Sequence, residues 1–237
     1  MPNIPTLEDL LKAGAHFGHQ TSRWHPKMKQ YIFGEKKGVH IIDIEKTRDL
    51  LAKALQVVEE TTAGGENIVL VGTKPQAQAV IEKYALDAGV PYVSERWLGG
   101  TFTNFQEIGR LIKLFLDLQD KRDKGELKKY TKLEQLQFDR KIEELEKKIG
   151  GLVTLTKLPA LTFIVDMKHD KTALMEARKR GVKIIALCDS NTNPELVDYP
   201  IPANDDSVGS ITLITKLIAE AAKLGRAHAK NSVKESK

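Results

Sequence analysis

Three apolar runs constrain this chain most: Asn67–Gly72 (NIVLVG), Ala160–Asp166 (ALTFIVD) and Val182–Cys188 (VKIIALC). A short run that is apolar throughout, rather than at every second residue, suits a strand covered on both faces. Helical spacing accompanies each of them. Glu45–Thr62 precedes the first, with Leu50, Leu51, Ala54, Leu55, Val57 and Val58 as its apolar face and Gly64-Gly65 at its end. Lys74–Ala88 follows it and stops at Gly89, and Asp170–Arg180 follows the second. Further strands are predicted at Pro91–Ser94 and near residue 200, and a last helix over Ser207–Ala229. Strands alternating with helices predict an α/β fold, a parallel sheet with right-handed crossovers flanked by helices. The carboxyl ends of such strands form the natural binding edge, and Asp166, Asp189 and the Asn204-Asp205-Asp206 run fall there.

A different kind of sequence interrupts this pattern. Between Phe105 and Lys148 half of the residues are Asp, Glu, Lys or Arg. Ile108, Leu111, Phe115 and Leu118 are spaced 3-4-3, and Phe138, Ile142, Leu145 and Ile149 4-3-4, a narrow seam of the coiled-coil kind. With Gly125 as the reversal, residues 105–149 are predicted to form an antiparallel coiled-coil helical hairpin inserted into one α/β domain made of 1–104 and 150–229. Gly99-Gly100 and Gly150-Gly151 bound it, and a disordered tail, 230–237, follows the domain. The arm's mixed charge does not describe a purely electrostatic clamp on nucleic acid.

The N-terminal part is organised differently again. Thr6 and Asp9 are placed as the two ends of a capping box. The stretch AHFGHQTSRWHPKMKQYIF then interleaves Arg23, Lys27, Lys29 and three histidines with Phe17, Trp24, Tyr31 and Phe33. Cations among aromatics suit a phosphate backbone and unstacked bases, and equally a surface loop whose rings tuck into the core. Residues 31–44 read as a β-hairpin with Lys36 and Lys37 at its tip. In RWLGGTFTN, Arg96 and Trp97 offer a charge and a stacking plane, while Thr101, Thr103 or Asn104 can cap the helix that follows.

Composition and motifs narrow the function. Lysine and arginine number 37 against 32 acidic residues, a net charge of +5, which admits a polyanionic partner without requiring one. The single cysteine, Cys188, lies in an apolar run, which excludes a disulfide framework and suits a reducing, cytoplasmic compartment. No stretch approaches the roughly 18 apolar residues of a spanning helix, so no membrane role is expected. The first strand–helix junction, VGTKPQAQ, has one glycine, and neither GxGxxG nor a P-loop occurs. Lys74 near a helix start could hold a phosphate, but Pro75 is equally a simple first helical residue. There is no GxSxG nucleophile motif. His16 and His19 form a lone HxxH, which becomes a metal site only if Asp189, Asp205 or Asp206 arrives from the strand edge.

The blocks LLKAGAHFGHQTSRWHPKMKQYIFGEKKGVHIIDIEKT, VGTKPQAQ, RWLGGTFTNF, PALTFIVDMKHDKTALMEARKRGV and LCDSNTNPELVDYPIPANDDS together resemble the family of the second protein of the small ribosomal subunit, in its bacterial or organellar form. The resemblance runs from about Leu7 into the last helix. It implies a Rossmann-like or flavodoxin-like sheet carrying a coiled-coil hairpin, and a non-enzymatic role. It implies binding of small-subunit ribosomal RNA near the head–body junction, and help in holding the large mRNA-binding ribosomal protein. Carried onto this sequence, the aromatic patch for that partner falls on Phe17 and Phe33, and a zinc pocket on His19, Asp189 and Asp205. RNA contact is expected from Arg23, Trp24, Lys27, Lys29, Lys36, Lys37, Arg96, Asn104 and one face of the arm. No small-molecule substrate is implied. Two rival functions fit parts of the pattern: a nucleotide- or sugar-phosphate-binding enzyme using the strand edge, and an adaptor that binds a protein through the arm.

Overall fold

The computed structural model describes residues 4–235. The apolar runs form the centre of a five-stranded parallel sheet of β4 (Ile68–Val71), β5 (Tyr92–Val93), β6 (Leu161–Ile164), β7 (Lys183–Cys188) and β8 (Tyr199–Pro202). Every residue of β4 and β6 is buried. Because successive side chains point to opposite faces, each strand feeds two cores. Ile68, Leu70, Phe163, Ile185 and Leu187 pack into one. Val69, Val71, Ile164, Ile184 and Ala186 pack into the other.

Helices α2 (Ile44–Ala63), α3 (Pro75–Ala88) and α7 (Val208–Glu235) close the first core, with α1 (Leu7–Lys12) beside them. The second is closed by α6 (Lys171–Arg180) and the base of the arm, α4 (Phe105–Asp123) and α5 (Lys132–Ile149). Spatial order in the sheet is β5-β4-β6-β7-β8. Counted within this sheet alone, that is the 2-1-3-4-5 order of the flavodoxin type, whose ligand crevice lies between the first and third strands, here β4 and β6.

The N-terminal sequence folds as a second sheet, β1 (Phe17–Gln20), β2 (Ile32–Lys36) and β3 (Val39–Ile42), with β3 in the middle and all pairs antiparallel. The expected hairpin is β2–β3. Its tip is tighter than GEKKG suggested, because Lys36 pairs with Val39 and the turn is Lys37-Gly38. Both turn residues have positive φ, +52° and +75°, the requirement of a type I′ turn. The capping box at Thr6 is formed, with Asp9 N donating to Thr6 Oγ1 and the Thr6 backbone donating back to Asp9.

The expected seams of the arm need correction here. The seam of α4 is Ile108, Ile112, Phe115 and Leu118, with Leu111 only half-buried, because α4 must face the domain core as well as α5. On α5, Ile142, Leu145 and Ile149 are buried, while Phe138 is half-buried beside Tyr130. The arm's base is therefore part of the second core rather than an appendage to it. Gly151 marks the return: a Cβ there would lie 2.4 Å from the carbonyl oxygen of Tyr92, so only glycine lets the chain pass the edge strand so closely. The tail expected to be disordered from 230 continues α7 to Glu235, and Ser236 and Lys237 lie outside the described residues.

Candidate nucleic-acid and partner interface

The crevice between β4 and β6 is filled by the protein's own charges. Lys74, just past β4 and at the N-cap of α3, puts Nζ 3.0 Å from Asp166, 3.1 Å from Asp205 and 2.6 Å from Asp206. Burial alone would lower the Lys74 ammonium, but its hydrogen bond to Asp206, the charge of Asp205 and the pairing with Asp166 outweigh that and raise it above the usual lysine range. Asp166 also accepts from the backbone of Lys168 and His169, at 2.8 and 2.9 Å. Burial pushes its carboxyl up, yet those donors and Lys74 hold it below the ordinary aspartate value. Asp170 receives Thr73 N and Thr73 Oγ1 at 3.2 and 2.7 Å. The cation that could have met a phosphate is thus neutralised by three carboxylates, each of which would repel one.

His19 joins this cluster from β1. Its Nδ1 is 3.0 Å from Asp189 and its Nε2 3.4 Å from Asp206, and the bond to Asp189 raises its pKa. Burial, then the charges of Asp166 and Asp189, push Asp205 up to about 7. Ligand atoms of His19, Asp205 and Asp206 lie within 4.8 Å of one another. This cluster differs from the expected set in holding Asp206 rather than Asp189. Asp189 is occupied instead with His19 Nδ1, with Ser190 N at 2.5 Å and with Asp205 N at 3.3 Å, which makes it an outer partner that fixes the imidazole. Asp206 takes its place. The donor set can accommodate a divalent cation, in competition with Lys74. Cys188 is fully buried, and its thiol is pushed up to about 12 by that burial, so it offers no nucleophile.

The basic–aromatic segment forms two short 3-10 turns between β1 and β2, pinned by the buried Met28 and by His25 N donating to Ser190 O at 2.7 Å. Arg23, Lys29, Lys36 and Lys37 are exposed and make no ion pair among the described residues. Lys27 is paired to Glu195 at 2.8 Å. Trp24 keeps 37% of its surface and leans on His40, with ring centroids 5.3 Å apart. Phe33 is 81% exposed and lines a groove of about 360 Å³ with Leu7, Leu11, His16 and Ile41, while Phe17, 49% exposed, packs on the His16 ring at 4.0 Å.

Arg96 and Asn104 are exposed at the two ends of the loop before α4, and Asn104 holds the N-cap position without a side-chain bond. Trp97 is not a stacking plane. It is 8% exposed and meets Phe102 edge to face at 4.8 Å. What shapes this loop is Glu176 of α6, a residue that no local pattern marks out. Gly100 N, Phe102 N and Thr103 N donate to its carboxylate at 2.7, 2.9 and 3.1 Å, with Trp97 Nε1 at 3.4 Å. Burial alone would raise this carboxyl, but the backbone donors and the indole hold it below the ordinary glutamate value.

A flavodoxin-like sheet with its ligand crevice plugged from within, beside open cations and exposed rings, defines a binding scaffold rather than a nucleotide enzyme. No helix of the described residues is long and apolar enough to cross a membrane. The family model for ribosomal protein S2 matches residues 10–225. Among similar proteins, the small ribosomal subunit protein uS2 of Roseiflexus sp. (strain RS-1) is 48% identical over 219 residues, 92% of this chain and 84% of the relative. That of Chloroflexus aggregans is 46% identical over 222 residues, 94% of this chain and 93% of the relative. That of Endomicrobium trichonymphae is 45% identical over 240 residues, covering 100% of this chain and 98% of the relative. The chain belongs to the ribosomal protein S2 family, whose members are structural, non-enzymatic components of the small subunit.

Proposed function

We propose that this chain binds small-subunit ribosomal RNA near the head–body junction of cytoplasmic ribosomes and helps seat the large mRNA-binding ribosomal protein, in support of translation. The observation that carries the RNA contact is that Arg23, Lys29, Lys36 and Lys37 are exposed without an ion pair among the described residues, in the same segment that exposes Trp24. Phosphates attract such cations because no acid among the described residues pairs with them. Lys27, Arg96 and Asn104 extend the surface, Lys27 by exchanging Glu195 for phosphate. Residues 1–104 with 150–229 act as the RNA-anchored body, and 105–149 as a projecting arm set against RNA or neighbouring proteins.

Wild-type protein is expected to co-sediment with small subunits in a sucrose gradient. Arg23→Gln with Lys29→Gln should reduce the slope of log affinity against log salt by about 1.5, at roughly 0.7–0.9 per phosphate contact. An unaltered slope would make the segment merely structural. The groove beside Phe33, with Phe17 packed on its lining residue His16, suits an aromatic or aliphatic anchor of the protein partner. Phe33→Ala should weaken capture of that partner about tenfold. Its effect on stability should stay within about 0.5 kcal/mol, since the ring is exposed. Equal capture by the variant would remove the residue from the interface.

The same cluster of His19, Asp205 and Asp206, with Asp189 behind His19, is where a zinc ion would be held. Zinc retained through dialysis by the wild type and lost in His19→Ala would support it. No retention at equimolar zinc leaves Lys74 as the cluster's cation.

A further inference from the structure

Helix α6 ends in the sequence MEARKR, which looks like ordinary mixed surface charge. The fold separates the signs. The acidic residue at its N-cap, Asp170, is buried and consumed by Thr73. The acidic residue within it, Glu176, is buried and consumed by the 97–103 loop. Lys171, Arg178, Lys179 and Arg180 remain exposed, with Lys183 just beyond, and none has an ion pair among the described residues. At about 100° per residue, Lys171, Met175, Arg178 and Lys179 share an arc of about 100°. They span roughly 12 Å at 1.5 Å per residue. Through Glu176 the same helix positions the loop that carries exposed Arg96.

Helix stability does not account for this charge. Cations in the last turn favour the dipole, but Lys171 opens the first turn, where a cation is unfavourable. On the arm, Lys121, Lys124 and Lys148 each sit 2.6–2.7 Å from an acid four residues away, whereas the one acid within α6, Glu176, is already engaged by the loop. A nearby acid on the domain, Asp198, is also engaged, by Ile184 N.

We infer that the outer face of α6, with Arg96 beside it, is a second docking ledge for the RNA phosphate backbone, on the opposite side of the sheet from α2 and α7. The ledge rests on the rRNA-binding reading above and adds a separate surface to it. The test is binding of purified protein to small-subunit rRNA across a salt series. The triple variant Lys171→Gln, Arg178→Gln and Lys179→Gln should lose at least tenfold in affinity near 0.1 M salt, and its salt slope should fall by about 2. A charge-matched control on the other face, Lys53→Gln, Lys216→Gln and Lys223→Gln, should change affinity less than threefold. Lys171→Arg with Lys179→Arg should bind as wild type. Thermal melts of all variants should coincide, because every altered side chain is exposed.

A triple variant that binds like the control overturns the ledge while the wild type's binding upholds the rRNA reading. Wild-type protein that does not bind overturns both. Undiminished rRNA affinity with lost incorporation into small subunits would make the face a protein contact, and also overturns the proposal.

Discussion

Lys74→Met is expected to destabilise the chain by about 3 kcal/mol at pH 8, because it removes the cation from a largely buried group of carboxylates. Asp166 and Asp205 have side chains 11% and 2% exposed, so water cannot take over the role of the ammonium. The sign of the pH dependence follows from each group. Lys74 has a raised folded pKa, so its contribution is present below the ordinary lysine value and is lost only as pH rises through the folded one. Asp205 is also raised, to about 7 against 3.8, so the folded chain holds its proton longer and stability falls as pH climbs between those values. His19 acts in the same direction, since the stability from its raised pKa is lost as pH rises through the folded value. Asp166, lowered, contributes above its ordinary pKa and ceases to do so only when pH falls through the depressed one. Without Lys74 the repulsion among the acids is unrelieved when they are ionised and is relieved by protonation. Urea unfolding should therefore show a wild-type to variant gap that is smaller at pH 5.5 than at pH 8. An equal gap at both would mean that Lys74 acts by packing alone.

The parts of this fold legible in the sequence are those set by local pattern. NIVLVG, ALTFIVD and VKIIALC could be placed as double-faced strands because burial on both sides leaves no alternation. Strand β1 was not legible: in Phe17–Gln20 a single large apolar residue gives no period, and its partner β3 lies some twenty residues on. The seam of α4 was misplaced between two adjacent candidates, Leu111 and Ile112, because heptad spacing assumes one packing partner where α4 has two. At the site, the strand-edge aspartates could be named from topology. Which of them faces His19 Nε2 depended on Ser190 and Asp205 N already occupying Asp189, a matter of loop geometry. The end of α7 is hard to read from composition, since polar AKNSVK suits both a solvated tail and the continuation of an Ala-rich helix. Glu176 was beyond local reading, as its donors lie 73 to 79 residues away.

Glu176→Ala should cost about 3 kcal/mol and free the loop between the domain and the arm. The carboxylate serves two donors in buried bonds, Phe102 N and Trp97 Nε1, and three in partly buried ones, Gly100 N, Thr103 N and Thr103 Oγ1. An orphaned buried N–H costs roughly 1–3 kcal/mol, the long indole bond adds little, and the partly buried donors recover water and cost less, which gives the sum. Glu176→Gln keeps one acceptor oxygen but turns an amide nitrogen toward donors, so it should cost about half as much. The folded pKa of Glu176 is depressed, so its contribution is present above the ordinary glutamate value and disappears as pH falls through the depressed one. The wild-type to Ala gap should accordingly narrow at low pH. The functional consequence follows from position: the loop joins exposed Arg96 to the start of α4, so releasing it unfixes both that cation and the entry of the arm. Tryptic cleavage after Arg96 should accelerate in the Ala variant, and rRNA affinity should fall even though no charge that meets RNA was removed. An unchanged urea midpoint with unchanged cleavage would show that the loop holds its shape through Trp97 and Phe102 packing, and that the carboxylate is dispensable.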